Sequence, residues 1–433
     1  MKRDVKPGFQ KPTIRALKPA ADGWSTAVAL VERWLARKDR VDTMLEGLTP
    51  GLPARERARA QQLFYGVVRW ASRLESALAG LMSHAPRTKV RAILLVAGFE
   101  LLEGGPDAVA KVVHHAVEKA KTIASAKEAG LINAVARKLA GRLAEPPRTL
   151  ADEFAHPDWL VARWTQQFGA DATRQLLAWN QQPAPVYARW RKTDAPVPVF
   201  LAPTQWAGFY EVKAVHWDEV RQLAGDGALY LQDPSTRLCL ELLAPRPGET
   251  ILDACAAPGG KSLFIADLMQ SGRVIALDEE GPRLERLREN LARAPRTVEV
   301  ALMPADLEKV GTPFFRDFSL PETYDAVLLD APCSNTGVMR HRVDVKWRLQ
   351  EGDFAKHAVQ QLALLHAAAR LVRPGGRLVY STCSIDTAEN EAVIKTFFDS
   401  RAGGPFKLEK SVQAFPWTAG HDGAGAFLLR KNG

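Results

Sequence analysis

The sequence predicts an α/β protein, in which a domain built on a parallel sheet follows an all-helical domain and a small α+β connecting domain. From residue 233 to residue 433, short apolar runs alternate with helical patterns at the spacing of parallel β-α-β units. Between residues 23 and 147 the apolar residues recur only at helical spacing. Residues 148–232 mix short helical pieces with proline-spaced extended ones, which indicates the connecting domain.

The length and the terminal segment limit the class of protein. A chain of 433 residues is long enough for two or three domains of roughly 100 to 200 residues each. None of its apolar runs approaches the roughly 18 residues that a membrane-spanning helix needs. Residues 1–22 are basic and lack the apolar core of a secretory signal, so we expect a disordered basic arm and no membrane partner.

The positive charge is concentrated in the N-terminal part of the chain. Residues 1–150 hold 26 Lys and Arg against 14 Asp and Glu, whereas the remaining residues hold 32 against 35. Such an excess attracts a polyanion, because binding releases its condensed counterions. The alternative is that these charges only form a solvated surface, which keeps the protein soluble. We therefore expect RNA or DNA as the main partner, and the sequence indicates no obligate protein partner, which favours a monomer.

The four cysteines are Cys239, Cys255, Cys333 and Cys383. None forms a C-x-x-C pair, which argues against a zinc site and against a disulfide framework. We therefore expect no metal and a reducing, cytoplasmic location. Cys239 lies on the apolar side of LCLELL and is expected to be a small buried residue, and Cys255 is expected to pack within its loop.

A glycine loop follows the first strand of the C-terminal domain, in the segment DACAAPGGKS. Gly259 and Gly260 permit a close approach of the backbone to a ligand, and the helix that begins there offers free N–H groups. Lys261 adds a charge. The second strand ends in Asp278, where doubly wound proteins bind a ribose hydroxyl. Dinucleotide enzymes share this pattern, so the loop alone leaves the cofactor open.

Further polar residues follow the later strands. Asp306 comes after the third strand, where it is suitably placed for an adenine amino group. Asp330 and Cys333 end the fourth strand in LLDAPC, and Cys383 ends the fifth in VYSTC. Because ligands bind beyond the carboxyl ends of parallel strands, we expect both thiols in one pocket. A disulfide between them stays open from the sequence alone, although a reducing compartment disfavours it.

These motifs together resemble the RNA cytosine-5 methyltransferases of the Sun, Fmu or RsmB type. The resemblance covers nearly the whole chain: RARAQQLFYGVVR and LINAVARKL look like a NusB-like domain, and QDPSTRLCLELL, DACAAPGGK, LLDAPCSNTG and STCSI match the catalytic domain. The pairing of DAPC with TCS at consecutive strand ends is far more specific than the glycine loop. The resemblance implies a Rossmann-like methyltransferase domain at 233–433 and an RNA-binding NusB-like domain at 23–147.

The resemblance also implies the chemistry. Cys383 would attack a cytosine of RNA at carbon 6, Cys333 would help to release the product, and Asp330 would hydrogen-bond the base. Small-subunit (16S) ribosomal RNA is the expected substrate, with transfer RNA and a noncatalytic RNA-binding scaffold as the alternatives. S-adenosyl-L-methionine would be surrounded by Cys255, Ala256, Ala257, Pro258, Gly259, Gly260, Lys261, Asp278, Asp306 and Asp330.

The chain departs from the family pattern after the fourth strand. Relatives typically carry a His-Pro pair before the Asp of this segment, and here Arg342 and Val343 stand in GVMRHRVDVKW. This puts RNA contacts of that loop in question. In the connector we expect Arg189, Arg191 and Lys192 to add to the RNA-binding surface. An amino-group methyltransferase would carry an aromatic residue after its acidic-Pro-Pro motif, and DAPC has none.

Overall fold

The computed structural model describes residues 22–46, 52–192, 194–213, 217–294, 296–310 and 320–433. Apart from Asp22, the basic arm expected at the N-terminus lies outside them. The chain forms two compact units: Met1–Trp164 with Arg342–Arg348, and Thr165–His341 with Leu349–Gly433. The four-part division made from sequence remains a prediction. In the described part of the chain, each helix is too short or too polar to cross a membrane.

The helical and strand segments follow the order expected from the sequence, with helices alone at the start and alternating elements later. The helices are α1 (Gly23–Arg37), α2 (Val41–Glu46), α3 (Ala54–Arg69), α4 (Ala71–Leu78), α5 (Thr88–Ile123), α6 (Ala126–Leu143), α7 (Leu150–Glu153), α8 (Asp158–Phe168), α9 (Ala170–Gln181), α10 (Trp217–Gly225), α11 (Arg237–Leu243), α12 (Gly260–Met269), α13 (Pro282–Arg293), α14 (Val345–Arg348), α15 (Asp353–Arg370), α16 (Glu391–Phe398) and α17 (Pro416–Ala419). The strands are β1 (Tyr187–Trp190), β2 (Leu201–Pro203), β3 (Phe209–Val212), β4 (Leu229–Leu231), β5 (Thr250–Asp253), β6 (Arg273–Asp278), β7 (Glu299–Pro304), β8 (Tyr324–Asp330), β9 (Val372–Thr382), β10 (Phe406–Ala414) and β11 (Ala424–Lys431).

Local sequence signals set the ends of the helices in the first unit. Asp22 caps α1 by accepting a hydrogen bond from the backbone N–H of Ser25. Ser125 and Glu128 form a reciprocal pair at the start of α6. Within α5 the helical backbone is interrupted at Gly105, whose φ of 63° lies in the left-handed region, directly before Pro106. Short-range contacts and a glycine before a proline thus fix where these helices begin and where α5 is interrupted.

The segment Arg342–Arg348 belongs to the first, helical unit, although in the chain it lies between two parts of the second unit. Val343 is 1% exposed and is part of the helical core. The Lys346 ammonium donates to the carbonyl of Arg69 over 2.9 Å, and the Trp347 indole N–H donates to the carbonyl of Val68 over 2.6 Å. These donors satisfy carbonyls that the last turn of α3 leaves without helical partners. The departure from the family pattern at Val343 thus falls in a packed core.

The large sheet of the second unit has the strand order β10-β11-β9-β8-β5-β6-β7. Strands β5 to β9 pair in parallel, and β10 and β11 add an antiparallel hairpin at one edge. Alternate residues of β5 face opposite sides: Ile251 joins one buried core and Leu252 the other. The sheet is therefore covered on both faces, as its continuous apolar runs predict. This hairpin was not predicted from the sequence. The connection between its strands carries only the four-residue helix α17, whereas a parallel pair needs a crossover of a dozen or more residues.

The connector forms a four-stranded antiparallel sheet in the order β2-β3-β1-β4. The expectation that Arg189 and Arg191 supply RNA-binding surface is wrong. Their side chains are only 4% and 3% exposed, and both guanidinium groups pair with Asp267 of α12. A buried guanidinium needs such a carboxylate, so these arginines hold the small sheet against α12.

We expect Trp347→Phe to lower the free energy of unfolding of the helical unit by about 1–2 kcal/mol, because the carbonyl of Val68 loses its donor while most of the apolar contact is kept. Urea unfolding followed by circular dichroism measures the change. Leu131→Ala, at an exposed position of α6, is the control and should change stability little. Wild-type stability in Trp347→Phe would show that the segment is not held by this bond.

Candidate active site

The order of the strands brings three predicted strand ends together. β8 lies between β5 and β9, and Asp330 at the end of β8 is in register with Ser381 of β9. Cys333 follows β8 by three residues, and Cys383 is the first residue after β9. The two loops therefore leave the same edge of the sheet side by side, which is where parallel α/β sheets bind their ligands.

The two thiols meet at this edge. The Sγ atoms of Cys333 and Cys383 are 3.2 Å apart, and neither residue is in a disulfide. Cys333 is buried and Cys383 is half-buried. Their hydrogen bond and burial together raise the pKa of the Cys333 thiol well above its usual value. Asn335 connects the loops, since its amide donates to the carbonyl of Cys333 over 2.8 Å and its Oδ1 lies 3.4 Å from Cys383 Sγ.

Asp330 is held from two sides next to the thiols. Its Oδ2 accepts a 2.7 Å hydrogen bond from the Lys261 ammonium, and its Oδ1 accepts a 2.8 Å bond from the Ser381 hydroxyl. Burial opposes the charge of Lys261, but the Asp330 carboxylate outweighs it and raises the pKa of Lys261 above its usual range. Lys261 therefore acts first as the counter-ion of Asp330.

The glycine loop is fixed by the acid that was predicted to lie beside it. Asp278 accepts hydrogen bonds from the backbone N–H groups of Ala257 and Glu279, at 2.8 and 3.0 Å. Gly259 has a φ of 105°, which favours glycine, and a Cβ there would meet Leu287 of α13 at 2.7 Å. The loop is thus closely packed against α13 at Gly259.

Two adjoining cavities meet at the Lys261–Asp330 pair, because both residues line each of them. The larger, of about 230 Å³, is also lined by predicted residues of the glycine loop: Cys255, Ala256, Ala257, Pro258 and Gly260. The smaller, of about 40 Å³, is lined by Cys383 and by Cys239, which is 3% exposed as expected. A separate cavity of about 670 Å³ lies beside Trp206 and Phe264 and has none of the cysteines in its wall.

Asp306 stands apart from this group. Its carboxylate pairs with Lys309 at 2.6 Å and accepts a hydrogen bond from the backbone N–H of Glu308. The hydrogen bond from Lys309 lowers the pKa of Asp306. It is not among the residues that line the two cavities.

Sequence reasoning missed a cluster beside the larger cavity. The imidazole of His341 lies 3.0 Å from Asp422 and 3.1 Å from the carbonyl of Pro185, and Asp233 accepts from the backbone N–H of Asp422. Burial opposes the imidazolium, but the two carboxylates outweigh it and raise the pKa of His341 to about 9. Possible metal-ligand atoms of these three side chains lie within 4.8 Å of one another. The imidazolium already offsets part of their negative charge.

A second acid was also missed, because it lies inside the predicted strand. Asp253 is fully buried at the end of β5, and its Oδ2 accepts a 2.6 Å bond from Ser262. Its Oδ1 has no hydrogen-bond partner among the described residues. Burial raises the pKa of Asp253 from 3.8 to about 7, and the neighbouring Asp330 adds to this effect. The native protein therefore holds a proton on Asp253 under mildly acidic conditions.

We expect Asp253→Asn to change how stability depends on pH. The pKa of Asp253 is about 7 in the native state, against 3.8 for an ordinary Asp. The wild type therefore loses stability as the pH rises through this interval, because unfolding releases the proton and a higher pH favours that release. The variant has no such proton, so its free energy of unfolding relative to the wild type should rise across the interval and level off above it. Urea unfolding over a pH series measures this. Glu351→Gln, at an exposed acid, is the matched control. A constant difference for Asp253→Asn would contradict the assignment.

Comparison with known proteins agrees with this architecture. Residues 240–414 match the family described as 16S rRNA methyltransferase RsmB/F, and residues 25–141 match the NusB family. The chain is 32% identical over 398 residues to the ribosomal RNA small subunit methyltransferase B of Vibrio cholerae, covering 87% of this chain and 90% of that protein.

Two further similarities extend over most of the chain. The protein of the same name from Serratia proteamaculans is 33% identical over 398 residues, again covering 87% of this chain and 90% of that protein. The crystal structure of PH0851 has a TM-score of 0.76 at 23% identity, covering 96% of this chain and all of that one, which shows a shared fold. The chain therefore belongs to the RsmB/F methyltransferase family, with a NusB-family domain at its N-terminal end.

Proposed function

We propose that this protein methylates carbon 5 of a cytosine in RNA, with S-adenosylmethionine as the methyl donor and Cys383 as a transient nucleophile. The observation that carries the proposal is the pair of thiols 3.2 Å apart, in loops that follow adjacent strands. Cys383 lines the smaller cavity, which meets the cavity of the glycine loop at Asp330. Membership of the RsmB/F family supports the same reaction.

Carbon 5 of cytosine is a weak nucleophile, so the ring must first be activated. Addition of a thiolate to carbon 6 converts the ring into an enamine whose carbon 5 can attack an electrophilic methyl group. Cys383 suits this role because it is the more exposed of the two thiols and lines the small cavity. Cys333 suits it less, because its raised pKa keeps it in the unreactive thiol form.

Asp330 is placed to bind the amidine edge of the base. Its carboxylate would accept hydrogen bonds from the exocyclic amino group and from a protonated ring nitrogen 3, which accepts the electron density displaced when carbon 6 is attacked. Lys261 and Ser381 fix the carboxylate before the base arrives. Preorganised groups of this kind need no rearrangement during the reaction.

The larger cavity fits the methyl donor. Its wall includes the glycine loop, which leads into the start of α12. The free N–H groups at the start of this helix suit the carboxylate of the methyl donor. Cys255 to Lys261, Asp278 and Asp330 would hold S-adenosylmethionine, which supplies an electrophilic methyl group when it is bound. Asp306 would join them after separation from Lys309.

The last step separates the methylated base from the enzyme. The proton on carbon 5 passes to a base such as water, the carbon–sulfur bond breaks, and its electrons return to Cys383 as a thiolate. The Cys333 thiol lies within hydrogen-bonding distance of that sulfur. It would stabilise the departing thiolate by donating its S–H, so that release depends on Cys333.

Small-subunit ribosomal RNA is the substrate that we propose. Two relatives that match across about nine tenths of their length are named for methylation of this RNA. The excess of positive charge in residues 1–150 suits a polyanion, which binds through counterion release. A transfer RNA substrate would leave the chemistry unchanged, and a noncatalytic scaffold would not need the paired thiols.

We expect Cys383→Ala to retain S-adenosylmethionine binding and to lose methyl transfer, because the base can no longer be activated. The measurement is transfer of labelled methyl groups to small-subunit ribosomal RNA and to transfer RNA, followed by nucleoside analysis. Ser271→Ala, a change of similar size at an exposed position outside both cavities, is the control. Labelled 5-methylcytosine formed by Cys383→Ala at the wild-type rate would contradict the nucleophile assignment, and label in transfer RNA alone would contradict the substrate.

We expect Cys333→Ala to accumulate a covalent complex with RNA, because attack and methylation remain while release of Cys383 is impaired. Denaturing electrophoresis with labelled RNA shows the complex as a band of low mobility. The double variant with Cys383→Ala should form none. Release of free methylated RNA by Cys333→Ala at the wild-type rate would exclude Cys333 from product release.

A further inference from the structure

A buried carboxylate lies behind the two cysteine loops. Glu389 ends a short 3-10 turn after β9 and is 0% exposed. Its Oε1 accepts hydrogen bonds from the backbone N–H of Ser334 at 2.8 Å and from the amide of Gln361 at 3.1 Å. Its Oε2 accepts from the hydroxyl of Ser384 at 2.6 Å and from that of Ser334. Each carboxylate oxygen thus has two donors.

These donors come from the residues next to the two thiols. Ser334 follows Cys333 in the chain, and Ser384 follows Cys383. Gln361 of α15 also donates to the carbonyl of Pro332, on the other side of Cys333, over 2.9 Å. One side chain therefore connects the loop after β8 with the loop after β9 at the position where each carries its sulfur.

Glu389 is itself fixed in place. Its backbone carbonyl accepts a 2.6 Å hydrogen bond from the hydroxyl of Tyr380, which is fully buried in β9. The neighbouring Asn390 side chain bonds the hydroxyl of Thr382 and the carbonyl of Ser384. Glu389 is thus held by contacts to β9, the strand that directly precedes Cys383.

The number of donors explains why a carboxyl group stands here. It offers two acceptor oxygens, whereas an amide side chain offers one acceptor oxygen and a group that donates. The backbone N–H of Ser334 and the amide of Gln361 reach one oxygen, and the two serine hydroxyls reach the other. The side chain of Glu389 therefore matches the donors that the two loops present.

We propose that Glu389 is a positioning residue for both active-site cysteines, which holds their loops so that the two sulfurs stay in contact. The inference rests on the proposed function and adds to it a residue that does not touch the substrate. Loss of the carboxylate removes the hydrogen bonds that both loops make to one side chain, and the contact between Asn335 and Cys383 remains. A displacement of the reacting sulfur by about 1 Å is enough to slow a reaction by about 100-fold.

The test is Glu389→Gln, which keeps the shape of the side chain but replaces one acceptor oxygen by a donor. We expect kcat for RNA methylation to fall by about 100-fold, with the KM for S-adenosylmethionine and for RNA close to wild type. Formation of the covalent complex should be slowed to the same extent on the Cys333→Ala background. Rates are expressed per cofactor-binding site measured by calorimetry, so that a partly unfolded preparation does not mimic the effect.

Glu391→Gln is the matched control, because it makes the same chemical change at an exposed position two residues away. Wild-type kcat in Glu389→Gln would overturn the inference. If Glu389→Gln does not fold, Ser334→Ala and Ser384→Ala each remove one donor, and wild-type kcat in both would overturn it equally. Absence of methylation by the wild type and of covalent complex in Cys333→Ala, by contrast, would contradict the proposed function itself.

Discussion

The parallel pairing of β8 with β9 is the constraint on which the candidate site depends. It sets Asp330 opposite Ser381 and sends the loops with Cys333 and Cys383 away from the same edge. These thiols are 50 residues apart in the chain and 3.2 Å apart in space. A shift of one residue in the register would turn alternate side chains to the opposite face and separate these groups.

Charges around this edge are arranged in separate local pairs and networks. Lys261 balances Asp330 at the boundary of the two cavities, and His341 lies against Asp422 farther out. Glu389 accepts hydrogen bonds from four uncharged donors. Because the effective dielectric constant is low in a buried site, each of these groups acts strongly on its near neighbours. Burial raises the pKa of Asp253, and the neighbouring Asp330 adds to this effect.

The helical unit owes part of its structure to a segment from the middle of the catalytic sequence. Val343 fills its core, while Lys346 and Trp347 bond the last carbonyls of α3. In the chain, this segment follows the loop after β8 and comes before α15, which belongs to the second unit. The sequence departure at Val343 occupies a packing position of the helical core, whereas Arg342 is exposed.

By itself the sequence determined the class of each region, because helical periodicity, continuous apolar strands and glycine or proline punctuation are local properties. It also placed Asp330, Cys333 and Cys383 at strand ends, which is sufficient to predict one pocket. The tertiary structure decided what depends on distant partners: the burial of Arg189 and Arg191 on Asp267, the pairing of Lys261 with Asp330, and the four donors around Glu389. An ionisable side chain looks the same in a sequence whether it is solvated or paired in a core. Only the fold supplies the neighbours that distinguish the two.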